Sequence, residues 1–274
     1  MACGASTHIY DLWGELPLWD QRPCNQDQDE AKPMKTIILA GGEGRRLYPL
    51  TADKPKALLD VGGRTILERS LESFRSAGIG HEEIIILSGH AAGRLKEAAP
   101  ECRFIHNEIY ASTNNIYSLW LAHEELAGEE FLLLNSDVLF APRMVKGILS
   151  ADKESILMVD DVHPLAEEEM RVMVDEDKRI TAISKELDPK VSEGEYIGLA
   201  RFGKGFSKAF FEKMDEMIDA GQTDVWYEQA IAQILDEHPL YALSTKGLPW
   251  IEIDTFEDLA RAEEVARAIE REEA

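Results

Sequence analysis

Cysteine is scarce in this sequence. Only Cys3, Cys24 and Cys102 occur among 274 residues, and no two of them have the close spacing of a metal-binding or redox pair. That excludes a disulfide framework as the organising principle and makes a reducing cytoplasm the expected home. Positive charge is also in short supply. The 29 lysines and arginines face 52 aspartates and glutamates, for a formal net charge of −23. A surface so acidic repels nucleic acid and anionic lipid, which removes both as expected partners. A membrane helix needs ~20 consecutive apolar residues, and no run in the chain approaches that length. The first lysine or arginine is Arg22, and Asp11, Glu15 and Asp20 break up the apolar residues before it, so the N-terminus does not read as a signal peptide. A phosphate-bearing substrate must therefore meet a local basic cluster or a divalent cation. Lysine, arginine and glycine grouped together, and acids paired elsewhere, are the features to look for.

With 45% hydrophobic residues, the chain can bury the core of one large domain. Residues 1–33 stand apart. Gln26-Asp27-Gln28-Asp29-Glu30 is linker-like, and the expectation is a flexible extension, or else a flap using Tyr10, Leu12, Trp13, Leu16, Leu18 and Trp19. From residue 34 to 274 a single domain is expected. Thr36-Ile37-Ile38-Leu39-Ala40 is a short apolar run stopped by glycine, the pattern of a buried parallel strand. Thr65 and Glu68 form a capping box ahead of Leu67, Leu71 and Phe74, and Gly78 ends that helix. Strands are expected at 83–87, 103–106 and 131–134, with a helix over 115–126 between the last two. Strand and helix alternating in this way imply right-handed crossovers and a parallel sheet. The second half reads as strands at 155–160, 171–174, 179–184 and 195–202, spaced as antiparallel hairpins added to that sheet. Helices fit 207–219 and 224–236. A last strand covers 249–254, and Thr255 caps a C-terminal helix. The expected class is α/β: a Rossmann-like, mostly parallel sheet flanked by helices, with antiparallel strands added in the second half.

Ligands of such sheets bind beyond the carboxyl ends of the strands, and the motifs cluster there. Directly after the first strand stands Leu39-Ala40-Gly41-Gly42-Glu43-Gly44-Arg45-Arg46-Leu47-Tyr48-Pro49. Glycines let backbone N–H groups approach phosphate oxygens, and arginine forks bind those oxygens two at a time. The stretch lacks the glycine-lysine-serine/threonine ending of a Walker A loop, and Leu47 replaces the third glycine of the dinucleotide fingerprint. Lys54-Pro55-Lys56-Ala57-Leu58-Leu59 follows, with Pro55 stiffening the approach to Lys56. Asn135-Ser136-Asp137 ends one buried strand and Asp254 ends another. Two carboxylates so placed suit Mg²⁺, although Asp254 could instead cap the helix beginning at Thr255.

Together, the glycine-arginine and Pro-Lys-Ala-Leu motifs resemble those of the nucleotidyltransferases that make activated sugars and alcohols. The segment Asn107-Glu108-Ile109-Tyr110-Ala111-Ser112-Thr113-Asn114-Asn115-Ile116-Tyr117-Ser118-Leu119 is similar to that of the phosphocholine and phosphonate cytidylyltransferase branch. The resemblance spans residues 34 to about 265. It implies a CTP-dependent enzyme that transfers CMP to a small phosphorylated alcohol or phosphonate and releases pyrophosphate. Lys56 and Arg46 would be catalytic. Leu39, Ala40, Gly41, Gly42, Gly44, Arg45, Gly89, Asn114 and Asn115 would hold the nucleotide, and Asp137 and Asp254 the Mg²⁺. The family often has an acid where Asn135 stands, which leaves a third metal contact open. Asn114 also reads as an ordinary helix cap, and the two roles are compatible.

Glu195, Tyr196, Trp226, Tyr227, Glu228, Trp250 and Glu252 mix aromatics with acids, as a bound ammonium group requires, although aromatics at such places more often belong to the core. Of these, Glu195, Tyr196, Trp226, Tyr227 and Glu252 are the expected acceptor contacts. His90 is placed near the base. A sugar-1-phosphate or inositol-1-phosphate nucleotidyltransferase, and a non-catalytic nucleotide-binding regulatory domain, are the alternatives. The expected partners are CTP and one small substrate, and the oligomeric state stays open.

Overall fold

The computed structural model describes residues 34–165 and 168–273, so the expectations for 1–33 lie outside the described residues. The first half runs β1 (Lys35–Ala40), β2 (Asp60–Val61), β3 (Arg64–Thr65), α1 (Ile66–Ser76), β4 (Ile84–Ser88), α2 (Ala92–Ala98), β5 (Arg103–His106), α3 (Asn115–Trp120), α4 (His123–Leu126) and β6 (Phe131–Asn135). The second half runs β7 (Val138–Phe140), α5 (Arg143–Ser150), β8 (Ile156–Asp160), β9 (Arg171–Val174), β10 (Ile180–Ser184), β11 (Gly194–Phe202), α6 (Lys204–Asp219), α7 (Glu228–Ile234), β12 (Tyr241–Ser244), β13 (Trp250–Glu252) and α8 (Phe256–Glu273).

The main sheet follows the order β10-β9-β11-β6-β1-β4-β5, with β8 on β11 and β12 on β8. The β1, β4, β5 and β6 strands are parallel, as their unbroken apolar runs require. Both faces are covered. Ile37, Leu39, Leu133 and Tyr227 pack on the side of α3, α6 and α7, whereas Ile38, Ile86, Leu134 and Phe74 pack on the side of α1 and α5. The β11 strand runs antiparallel to β6, pairing Leu199 with Leu134 and Phe202 with Phe131. Its first residues, from Gly194 onward, therefore lie beyond the carboxyl end of β6.

Two of the expected elements take a different form, and β2, β3, α2, β7, α5 and β12 have no counterpart among the expectations. The helix expected over 115–126 is two short helices. Ala122 N–H reaches only three residues back, to Leu119 O at 3.0 Å, and the next turn starts afresh. That tighter turn lets Trp120 and His123 share Asp215 Oδ1, at 2.7 and 3.1 Å. The strand expected over 249–254 is shorter, and it pairs with β7 in a separate ribbon rather than joining the main sheet. Because β7 continues directly from the end of β6, this ribbon still delivers its own end to the site. Ile253 N–H donates to Asp137 O at 3.0 Å, which sets Asp254 beside Asp137.

Candidate active site

A cavity of about 470 Å³ opens along the carboxyl ends of the parallel strands. The glycine loop forms one wall. Gly44 adopts φ +60°, which glycine tolerates readily, and Thr51 Oγ1 fixes the turn by donating to Gly44 O at 2.8 Å. Around Gly42 there is open space, so its backbone faces the cavity unshielded. Leu39, Ala40, Gly41, Gly42, Gly44, Arg45 and Arg46 all line the pocket. Gly89 does not. A β-carbon there would sit 2.5 Å from Gly41 O and 2.7 Å from Tyr110 Cβ, so the glycine makes room for the loop and the Tyr110 ring rather than directly for a base. His90 braces the same loop: its N–H donates to Gly41 O at 3.1 Å, and its Nε2 lies 2.9 Å from Thr51 O.

On the floor, Lys56 stands between two carboxylates, with Nζ 2.8 Å from Asp137 Oδ2 and 2.5 Å from Asp254 Oδ1. Burial alone would discourage its charge, but Asp137 and Asp254 outweigh that and hold its pKa above the ordinary lysine value. Asp254 is held below the ordinary carboxylate range, because Lys56 and Arg46 overcome its own burial. Arg46 reaches Asp254 Oδ2 at 2.6 Å with one nitrogen and Glu168 Oε2 at 3.0 Å with another. The alternative role of Asp254 as a helix cap falls to its neighbours. Thr255 Oγ1 accepts from Asp258 N–H at 3.2 Å, and the Asp258 carboxylate returns the bond to Thr255 N–H at 2.9 Å.

Glu252 joins the pair. Ligand atoms of Asp137, Glu252 and Asp254 lie within 4.8 Å of one another. Glu252 is crowded by protein atoms even though solvent reaches it from the pocket. That setting, with the Asp137 and Asp254 charges added, raises it to about 8. Asp137 Oδ1 is buried without a hydrogen-bond partner. A carboxylate with one orphaned oxygen, clustered with two more acids, suits a hard divalent cation, so this donor set fits Mg²⁺.

The other half of the cavity is acidic and aromatic. Glu195, Tyr196, Trp226, Glu228 and Glu252 line it, together with Lys185, whose ammonium lies 4.7 Å from the Trp226 ring centre. Burial, then Glu169 and Glu252, raise Glu195 to about 9. Burial raises Glu228 to about 7, and its Oε2 has no hydrogen-bond partner. Tyr227, expected at the acceptor, is fully buried and is not among the pocket walls. Its hydroxyl lies 3.0 Å from that of Tyr196, so it supports the site from beneath. Asn114 caps α3 through its own side chain, and Asn115 Oδ1 accepts from Tyr227 N–H at 2.9 Å.

Sequence reasoning assigned no role to Lys185, Glu168, Met170, Ser118 or Ser136, all of which line the pocket. Lys185 and Glu168 sit in loops of the added hairpins, where only the three-dimensional path brings them to the site. Ser118 lay within a motif already singled out. Asn107, fully buried, donates to Ser118 Oγ and Thr113 Oγ1 at 3.0 Å each.

Comparison with known proteins agrees with this geometry. Residues 36–169 match the MobA-like NTP transferase domain. A bifunctional IPC transferase and DIPP synthase of Aquifex aeolicus is 30% identical over 82% of this chain, which spans about half (50%) of that relative's length. The choline-phosphate cytidylyltransferase of Streptococcus pneumoniae is 27% identical over 85% of this chain and 99% of its own. A solved CTP:phosphocholine cytidylyltransferase from the same species superposes with a TM-score of 0.72 at 26% identity, covering 86% of this chain and all (100%) of the other. Glycine loop, bridged lysine, acid trio and these matches together make the chain a member of the nucleotidyltransferase superfamily, with a MobA-like NTP transferase domain.

Proposed function

We propose that this enzyme transfers CMP from CTP to a small phosphate- or phosphonate-bearing acceptor and releases pyrophosphate. The observation that carries the proposal is Lys56 held between Asp137 and Asp254 beneath the glycine loop, with Glu252 completing an acid trio. A module that only bound nucleotide would need neither the lysine nor the acids at that point. In the proposed reaction an acceptor oxygen forms a bond to the α-phosphorus of CTP as the bond from that phosphorus to the pyrophosphate oxygen breaks. The attacking oxygen is already anionic, so no general base is required. The glycine loop holds the triphosphate through backbone N–H groups. Lys56 and Arg46 neutralise charge that builds on the transferring phosphoryl group, and the pocket walls align the two reactants. Mg²⁺, held by Asp137 and Asp254 with Glu252 beside them, would supply charge neutralisation of the phosphates.

The acceptor half favours a substrate carrying an ammonium or other N–H donor. Glu195 and Glu228 offer carboxyl groups whose raised pKa an incoming ammonium would draw back down, Trp226 an aromatic face, and Lys185 a cation for the acceptor's own phosphate. Relatives include a choline-phosphate cytidylyltransferase and a CMP-5'-(3-aminopropyl)phosphonate synthase of Streptomyces rubellomurinus, which fit this reading. Carboxylates also accept hydrogen bonds from hydroxyls. With the Aquifex relative at 30% identity, that keeps an inositol-phosphate acceptor as the second reading. The test is pyrophosphate release from CTP, UTP, ATP and GTP, each with phosphocholine, (3-aminopropyl)phosphonate and inositol-1-phosphate. CTP with an amine-bearing acceptor should give the fastest release. Equal turnover with UTP would remove the cytidylyl claim, and preference for inositol-1-phosphate would remove the ammonium claim.

A further inference from the structure

The adjacent asparagines at the start of α3 are the natural nucleotide ligands of the sequence, yet both amide oxygens are already engaged by the protein. Asn114 Oδ1 accepts from Asn115 N–H at 2.8 Å, closing the helix start. Asn115 Oδ1 accepts from Tyr227 N–H at 2.9 Å, 112 residues away. A second tie runs alongside, from Asn114 N–H to Thr223 O at 2.9 Å. The segment 223–227 is thus lashed to the nucleotide wall at two points. Tyr227 is fixed at its other end as well. Its hydroxyl lies 3.0 Å from Tyr196 Oη on β11 and 3.4 Å from Asn135 Oδ1 at the end of β6.

The residues on either side of Tyr227 are the ones that face the acceptor half. Trp226 presents its ring to the cavity, and Glu228 is buried with Oε2 unpartnered there. The peptide N–H that Asn115 grips lies between them, so its position sets both. We infer that Asn115 is a positioning residue for the acceptor: it acts through Tyr227 to aim Trp226 and Glu228, and does not itself hold the nucleotide. The inference rests on the function proposed above. It implies that the acceptor subsite is braced from the nucleotide side of the pocket by one side chain.

Two kinds of measurement test it. The first is CTP affinity by calorimetry with Mg²⁺ present, and the second is KM for phosphocholine and for (3-aminopropyl)phosphonate. Asn115→Ala removes the oxygen that Tyr227 uses. Its acceptor KM should rise about tenfold, the size of one lost buried hydrogen bond, while CTP affinity stays within about twofold. Asn115→Asp keeps an oxygen at that place and should return the acceptor KM to within about threefold of wild type. Loss of CTP affinity in Asn115→Ala with an unchanged acceptor KM would overturn the inference. So would an Asn115→Asp enzyme as impaired toward acceptor as the alanine variant. If Asn115→Ala melts below the assay temperature, Asn115→Ser replaces it, with the same expectations. A wild type that releases no pyrophosphate with any acceptor overturns the proposed function instead. In that event calorimetry with phosphocholine titrated alongside CTP decides: phosphocholine weakened and CTP kept in Asn115→Ala supports the brace, and CTP affinity lost refutes it.

Discussion

Replacing Lys56 with methionine keeps most of the stem and removes only the charge, so the consequences follow from the groups left behind. The ammonium is within hydrogen-bonding reach of both Asp137 and Asp254. Without it, Arg46 still pairs with the outer oxygen of Asp254, but the two carboxylates, whose ligand atoms lie within 4.8 Å, face each other with no cation between them. At an effective dielectric of about 20, unit charges at that separation repel by about 3.5 kcal/mol. For a domain of this size, each kcal/mol moves the melting temperature by roughly 2–4 °C, so a fall of roughly 10 °C is expected at pH 8. The repulsion disappears when one carboxylate takes up a proton. The loss should therefore shrink between pH 8 and pH 5, whereas a packing defect would not change with pH. Mg²⁺ should restore Lys56→Met more than it stabilises wild type, since the cation supplies the missing charge. Catalysis should not recover, and kcat should fall on the order of 100- to 1000-fold, as for other lost transition-state charges. Lys54, which lines a separate groove with Pro49, Leu50 and Arg94, serves as the control, and Lys54→Met should lose less than about tenfold. Thermal melts at both pH values with and without Mg²⁺, alongside steady-state kinetics, check all of this. A Lys56→Met enzyme destabilised equally at pH 5 and pH 8, or a Lys54→Met enzyme more damaged than Lys56→Met, would refute the reasoning.

EDTA should abolish turnover in the wild type, and Asp137→Ala should do so with the fold intact by circular dichroism; undiminished turnover in either case would contradict the metal assignment. Glu228 is raised to about 7 from the usual 4.5, so the folded state holds a proton that the unfolded chain releases; its contribution to stability should fall as pH rises from about 4.5 to 7, by about 3 kcal/mol at most, and Glu228→Gln should make the slope shallower by that share in denaturant titrations, Glu195 and Glu252 supplying the rest. Gly89→Ala places a β-carbon 2.5 Å from Gly41 O; the glycine loop must shift, so CTP affinity should drop more than tenfold with about 1–3 kcal/mol of lost stability, and an alanine variant with unchanged affinity would show that the loop tolerates displacement.

Much of this molecule could be read from its sequence because the signals were local. The capping box of Thr65 and Glu68 appears as a reciprocal pair of bonds at 3.1 and 2.7 Å. The run Arg103–His106 is a strand with the expected limits, and the glycine loop is where its residues imply. The signals that failed were long-range. β7 is three residues long and exists because β13 returns to pair with it. Lys185 reaches the pocket on a hairpin that bears no motif, and Glu168 does so on a neighbouring loop. A carboxylate such as Glu228 looks the same in a sequence whether it will be solvated or buried. Asn115 was legible as important, but the partner that takes its amide oxygen lies 112 residues onward.

The direction of β11 carries a consequence for how such an enzyme acquires new substrates. A parallel neighbour would bring its final residues to the site, at the same edge as the glycine loop and Asp137. The antiparallel β11 instead brings its opening residues, Glu195 and Tyr196, next to the end of β6. The hairpins leading into β11, between 161 and 194, can lengthen, shorten or change composition without disturbing β1, β4 or the register that holds Lys56 opposite its carboxylates. Mutation can thus explore acceptors in one stretch of the chain while the triphosphate machinery, encoded in another, is inherited unchanged.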